Sequence, residues 1–298
     1  MRLGKLGAWA IIDGITAAAA AEFARRVEHA GYSALWMGEA LGRDALVTSS
    51  WLLANTERLI VATGIANLYA RDPMAMAAAR AGLNEQSGGR FLLGIGISHA
   101  PLVDGLRGHH YGKPVATMRA YLEAMERATY VAPPAPEKPT TVLAALGPQM
   151  LALSRDMADG AHPYNVTPEH TAEARAILGP AKLLCVEQMV LLETDPDRAR
   201  EAGRRTLATY LGLPNYVNNW RRFGFVDADF ADGGSDRLID AIVAWGDEAA
   251  IADRVREHWD AGADHVCIQA LSATAGEEGV WPAPDIASLE KLAPFLSA

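Results

Sequence analysis

The chain has only two cysteines in 298 residues, Cys185 and Cys267, each inside an apolar, strand-like run. So few thiols exclude a disulfide framework, and both are expected as reduced core residues. A basic excess is missing too: 27 lysines and arginines stand against 36 aspartates and glutamates, a formal charge of −9. Nucleic-acid binding needs a cationic face against the phosphates, and the pair Arg221-Arg222 is too small to supply one. No apolar run reaches the length of about 18 residues that a membrane span requires. The basic and then apolar start, Met1 to Trp9, is followed early by Asp13 and reads as a first strand rather than a secretory signal, so a soluble, cytoplasmic protein is expected. There is no Gly-x-Ser-x-Gly elbow and no Walker loop. The first strand lacks a His-x-His pair, and the adjacent His109 and His110 would point apart on a regular element, so no metal site is expected. No flexible linker divides the chain. The stiff segment from Ala132 to Pro139 is a loop between a helix and a strand, and one domain spanning 1–298 is expected.

What recurs instead is an alternation of short β-rich runs with longer amphipathic ones. Strands are expected at 5–10, 34–39, 59–66, 91–98, 140–146, 160–164, 183–192 and 265–271. Helical patterns lie at 16–29, 45–55, 73–86, 115–130, 149–157, 168–178, 196–210 and 248–261. Asp72, Thr167 and Asp195 precede prolines at first helical turns and read as N-caps, while Gly31 and Gly262 follow helices where a left-handed residue is needed. Eight strands and eight helices predict an α/β fold closed as a (β/α)8 TIM barrel, with an open doubly wound sheet as the alternative. The spacing fails once. An insertion over 213–245, holding a further helical run at 235–245, precedes the last βα unit and is expected as an excursion near the barrel mouth.

Barrel active sites are built at the C-terminal ends of strands. The polar residues expected there are Asp13, Glu39, Ser98-His99, His162, Tyr164 and Asn165. Four of them also have a plain structural reading: Glu39 as an ion-paired or capping carboxylate, His99 as a turn residue, His162 as a strand-end hydrogen bond, Asn165 as an Asx turn. Gly94-Ile95-Gly96 lacks the third glycine and the helix of a dinucleotide fingerprint. Two glycines within a strand instead indicate close approach of another backbone or a ligand.

Four segments in order carry a family resemblance: Ala30-Gly31-Tyr32-Ser33-Ala34-Leu35-Trp36, Leu59 to Ile65, Gly89-Arg90-Phe91-Leu92-Leu93-Gly94-Ile95-Gly96, and Trp245-Gly246-Asp247-Glu248 through Val266. On these the chain resembles the luciferase-like monooxygenase superfamily, particularly its coenzyme F420-dependent oxidoreductase branch, over nearly its whole length. The resemblance implies an enzyme that transfers a hydride between F420 and a small or medium organic substrate. The alternatives are an FMN-dependent monooxygenase and a flavin- or deazaflavin-binding protein without turnover. It also implies a non-proline cis peptide at Gly64-Ile65 against the ring, Glu39 beside the ring, and Ile97, Ser98 and His99 facing ring and substrate. The cofactor phosphate is implied on Ala145, Leu146, Gly147, Gln149 and Met150, although Leu146 stands where a second glycine is common and Pro148 has no amide proton. His99, with Glu39, is the candidate for proton transfer, and Asp13, His162, Tyr164 and Asn165 are candidates for binding substrate. A homodimer is implied as well, with the alanine-rich run from Met74 to Ala79 open to close helix packing.

Overall fold

The structure, a computed structural model, describes residues 1–272 and 283–296. Among the described residues ten strands form: β1 (Leu6–Trp9), β2 (Ala34–Met37), β3 (Ile60–Thr63), β4 (Ala66–Asn67), β5 (Phe91–Gly96), β6 (Thr140–Leu143), β7 (Gly160–Ala161), β8 (Leu183–Leu192), β9 (Val243–Gly246) and β10 (His265–Ala270). Eight of them close a parallel ring in the order β1-β2-β3-β5-β6-β7-β8-β10, and β10 returns to β1 through Leu6↔Val266. This is the (β/α)8 barrel, not the open sheet. β4 continues past β3 to pair with β5, and β9 stands outside the ring, paired to the far end of β8 through Met189↔Val243.

The helices are α1 (Ala17–His29), α2 (Ala45–Ala54), α3 (Pro73–Ser87), α4 (Pro114–Glu126), α5 (Pro148–Met157), α6 (Pro168–Leu178), α7 (Pro196–Leu211), α8 (Pro214–Arg222), α9 (Asp227–Phe230), α10 (Asp236–Ile242), α11 (Glu248–Asp260) and α12 (Ile286–Leu296). Their starts follow local chemistry: Asp72 and Asp195 each accept two first-turn amides, whereas Thr167 makes no capping bond. Within β5 the two glycines admit neighbouring chain. A Cβ on Gly94 would stand 1.9 Å from the Thr63 carbonyl oxygen, and one on Gly96 would stand 2.6 Å from the Ile65 side chain.

The barrel interior is aromatic and polar. Trp36 stacks on His162 with ring centroids 4.3 Å apart and donates its Nε1–H to His265 Nε2 at 3.0 Å. The other nitrogens, His162 Nδ1 and His265 Nδ1, bond the carbonyls of Cys185 and Gly4. Burial pushes both imidazoles down to about 4, so they are neutral at ordinary pH. Both cysteines are free and buried.

The structure departs from the sequence reading around the insertion. Helix α7 does not cover the barrel; it packs on α10 and β9 in a second apolar cluster that includes Met189, Leu191, Leu207, Trp220 and Ile239. Gly203 makes that approach close, since a Cβ there would lie 2.5 Å from Ile239 Cγ2. The added body therefore begins at α7, upstream of residue 213. The helical run expected over 235–245 ends at Ile242, where the chain turns into β9. The helix that covers the barrel after β8 is α11, packed on β8 and α6, and the ring is completed by α12, which the sequence reading did not contain. Pro294 inside α12 obscured its pattern. The expected single-domain span includes residues 273–282 and 297–298, which lie outside the described residues.

Candidate active site

The C-terminal strand ends open on a cavity of about 620 Å³. Ile65 enters it after β3, Gly96 to His99 at the end of β5, and Ala144 to Met150 between β6 and α5. His162 and Tyr164 follow β7, Tyr111, Pro114 and Val115 come from the approach to α4 and its first turn, and Asn215 and Tyr216 reach in from α8. The structure thus brings together Ile65, Ile97, Ser98, His99, Ala145, Leu146, Gly147, Gln149, Met150, His162 and Tyr164.

Four expected residues are not among those lining it. Gly64 lies just behind the wall: its peptide to Ile65 is cis, and its carbonyl accepts the Trp9 indole N–H at 3.1 Å. Glu39, with a side chain only 4 % exposed, is ion-paired to Arg71 and also accepts the amides of Asn67 at 2.8 Å and Ala45 at 3.2 Å. Its carboxylate ties the β2 end to α2 and β4, so all its acceptor capacity is taken by the fold. Asp13 accepts the Arg43 amide at 2.6 Å and holds the loop before α2. Asn165, at φ +57°, sits beneath the wall: its N–H donates to Glu187 and its carbonyl accepts from Trp220 Nε1 at 3.0 Å.

His99 is the ionisable group best placed to meet a ligand. It follows Ser98, which adopts φ +61°, and its carbonyl accepts the amides of Leu102 and Val103 as a π-helical segment, Pro101–Leu106, begins. Burial lowers the imidazole below its ordinary range, and a hydrogen bond with the Asn215 side chain partly offsets this. The Tyr216 ring lies 5.8 Å away, and its hydroxyl has no hydrogen-bond partner among the described residues. Tyr164, by contrast, is engaged: its hydroxyl bonds Gln269 and Tyr210, both at 2.8 Å.

At another part of the cavity the chain enters α5. Gly147 accepts the amides of Met150 and Leu151, leaving the earlier amides of the turn without helical partners. A Cβ on Gly147 would meet no atom within 4 Å, so the backbone is open there. The preceding Leu146 carbonyl is held by His170 Nε2 at 2.8 Å and Arg222 at 3.3 Å. A second groove, bearing Lys113, Arg119 and Glu123, adjoins through Pro114, Val115 and Gln149. These features fit an organic ring with an anionic tail: open backbone amides at a helix start, and cations just outside.

Sequence reasoning missed His170, Tyr216 and Glu187. Glu187 is buried in β8 with one acceptor oxygen unpaired, and burial pushes its carboxyl up to about 8. Tyr164, Tyr210, Tyr216 and Cys267 lie within its electrostatic reach. Its signal was available, a single acid inside Leu-Leu-Cys-Val-Glu-Gln-Met-Val-Leu-Leu; His170, a solitary helical histidine, gave none. Among the described residues no group of three or more His, Cys, Asp or Glu side chains could hold a metal ion, and no helix is long and apolar enough to cross a membrane.

Comparison with known proteins extends this geometry. A putative coenzyme F420-dependent oxidoreductase of Mycobacterium tuberculosis is 26% identical over 323 residues, covering 87% of this chain and 91% of its own length. An F420-dependent secondary alcohol dehydrogenase, solved with an F420–acetone adduct, superimposes with a TM-score of 0.75 at 14% identity, covering 99% of both chains. The oxygenating component of 3,6-diketocamphane monooxygenase of Pseudomonas putida, solved with FMN, gives 0.66 at 16% identity over 98% of each chain. At those identities the two structures establish the shared fold. The family pattern described as luciferase-like monooxygenase matches residues 4–265, nearly the whole barrel, and the chain accordingly belongs to the luciferase-like monooxygenase family.

Proposed function

We propose that the protein is a coenzyme F420-dependent oxidoreductase acting on a small or medium organic substrate. The observation that carries the reading is the cavity itself, walled by apolar side chains, with His99 in one wall and the opened start of α5 in another. Ile65, Ile97 and Ala145 would flank a planar ring, while the Gly147 and Gln149 backbone would receive the phosphate. When bound, a deazaflavin supplies hydride exchange with an organic substrate. The protein's part is to orient the substrate, exclude water and manage one proton. His99, neutral because burial disfavours its charge, accepts the proton of a substrate hydroxyl, and Asn215 orients its ring. In the reverse direction the same imidazole, once protonated, returns the proton to a carbonyl oxygen. Titrating the protein's tryptophan fluorescence with F420 and, separately, with FMN tests the reading. Binding of F420 in preference to FMN is expected; tighter binding of FMN would move the protein to the monooxygenase reading, and binding of neither would overturn both.

We further infer a homodimer. Val47 and Trp51 on α2 and Met74 on α3 are exposed apolar side chains on neighbouring helices, a surface that a second copy would cover.

A further inference from the structure

The cavity walls contain no Asp, Glu, Lys or Arg among the described residues, and the two histidines in them, His99 and His162, are both neutral at ordinary pH. The chain as a whole is 21% charged. Charge is instead segregated. Lys113, Arg119 and Glu123 lie in the adjoining groove, and Arg222 reaches only the outer carbonyl of Leu146. Glu187 lies behind the wall and keeps its proton up to about 8.

The unspent hydrogen-bonding groups are equally restricted. Tyr111 bonds the Ser98 carbonyl at 3.3 Å and Tyr164 is engaged twice, so neither hydroxyl is free to orient a ligand. His162 keeps its buried Nε2 without a partner, and the Ser98 and Gln149 side chains make no hydrogen bond; beside them stand His99, which bonds the Asn215 side chain, and the Tyr216 hydroxyl, all of this among the described residues. His99 comes from the β5 end and Asn215 and Tyr216 from α8, and they meet on one side of the cavity, with the His99 and Tyr216 rings 5.8 Å apart.

We propose that this cavity selects an uncharged, mainly hydrocarbon substrate bearing a single alcohol or ketone oxygen, which His99, Asn215 and Tyr216 hold between them. The proposal rests on the reading of the cavity as a site for cofactor and substrate together. Its physical basis is desolvation. A carboxylate, phosphate or ammonium group entering the inner end loses its hydration and meets no opposite charge, whereas a hydroxyl or carbonyl meets donors and an acceptor. Any anionic tail of the cofactor escapes this restriction because the groove with Lys113 and Arg119 lies outside.

The test compares butyl to decyl ketones and secondary alcohols with carboxylates and primary amines of the same carbon skeletons. Binding is measured by titration calorimetry on the protein alone and on the protein saturated with F420. The neutral members should bind and the charged ones should be at least about 100-fold weaker. Tyr216→Phe should weaken the alcohols and leave F420 affinity unchanged. Asn215→Lys, at an exposed position where folding is not at risk, should raise carboxylate affinity at least about tenfold. Equal or tighter binding of the carboxylates by the unaltered protein overturns the proposal, as does failure of every neutral member to bind while F420 does. Binding of neutral members without any binding of F420 supports the proposal and defeats the cofactor reading instead.

Discussion

Two ionisable residues at strand ends, Glu39 and His99, look alike in the sequence and have opposite fates in the fold. Glu39 is consumed by Arg71 and two amides, while His99 keeps its imidazole in the cavity. The difference depends on Arg71, 32 positions downstream of Glu39, and no local pattern links the two. His99→Ala should therefore reduce turnover by about 10²–10⁴-fold with F420 affinity unchanged, read by single-turnover kinetics beside fluorescence titration. In the alcohol-oxidising direction the rate should rise with pH through a pKa below 6.5 and be level above it, because only the neutral imidazole accepts a proton. Glu187 makes a separate prediction. Its carboxyl titrates near 8 in the fold against an ordinary 4.5, so the folded state retains a proton that the unfolded chain releases between those values. Stability from this group is complete below about 4.5 and declines as pH rises through 8, by roughly 3–5 kcal/mol. The depressed histidines His162, His170, His258 and His265 act with the opposite sign below about 6.5, where the unfolded chain takes up protons that they do not, but they are common to parent and variant and cancel in the comparison. Glu187→Gln should unfold at a higher temperature than the parent at pH 8.5, with the gap closing towards pH 5; equal melting curves at both pH values would sink the assignment.

At the scale of elements, the strands and the helix starts were legible because each obeys a local rule. Proline at the first turn with Asp72 or Asp195 before it marks a helix, and a run such as Phe91 to Gly96 marks a buried strand. Which layer a helix joins was not legible. α7 and α11 both present an apolar stripe, yet α7 buries its own against α10 while α11 buries its against β8. That choice is made by the Gly203–Ile239 approach and by β9, whose first three residues lie where a helical period was expected to continue. The turn into α5 shows a similar mixture. Its glycine was visible, but the clamp on Leu146 by His170 and Arg222 depends on two elements remote in sequence. Gly147 has φ −89°, a conformation open to any residue, and its added Cβ would touch no protein atom. Gly147→Val should thus leave the melting temperature unchanged while weakening F420 binding at least about tenfold, since the side chain would fill the place proposed for the phosphate. Unaltered affinity would place the phosphate elsewhere.

For the whole molecule, dimerisation is the open property that the surface addresses. Light scattering at micromolar concentration should give twice the 31.8 kDa of the chain, and replacing Val47 and Met74 by glutamate should return it to a monomer with the barrel intact. A monomer in the unaltered protein removes the inference. The ring has a further consequence that concerns how the chain is made. β1 occupies residues 6–9, but one of its two neighbours is β10, and the pairing Leu6↔Val266 spans almost the entire sequence. At a synthesis rate of about 5–20 residues per second, β1 waits roughly 15–50 s with one edge unpaired before its partner exists. β8 waits as well, since His265 must emerge before Cys185 gains that neighbour, and α7 to α10 are made in the interval. During elongation the nascent protein is therefore an open sheet with two free edges, and the second apolar cluster can form beside β8 before the ring is sealed.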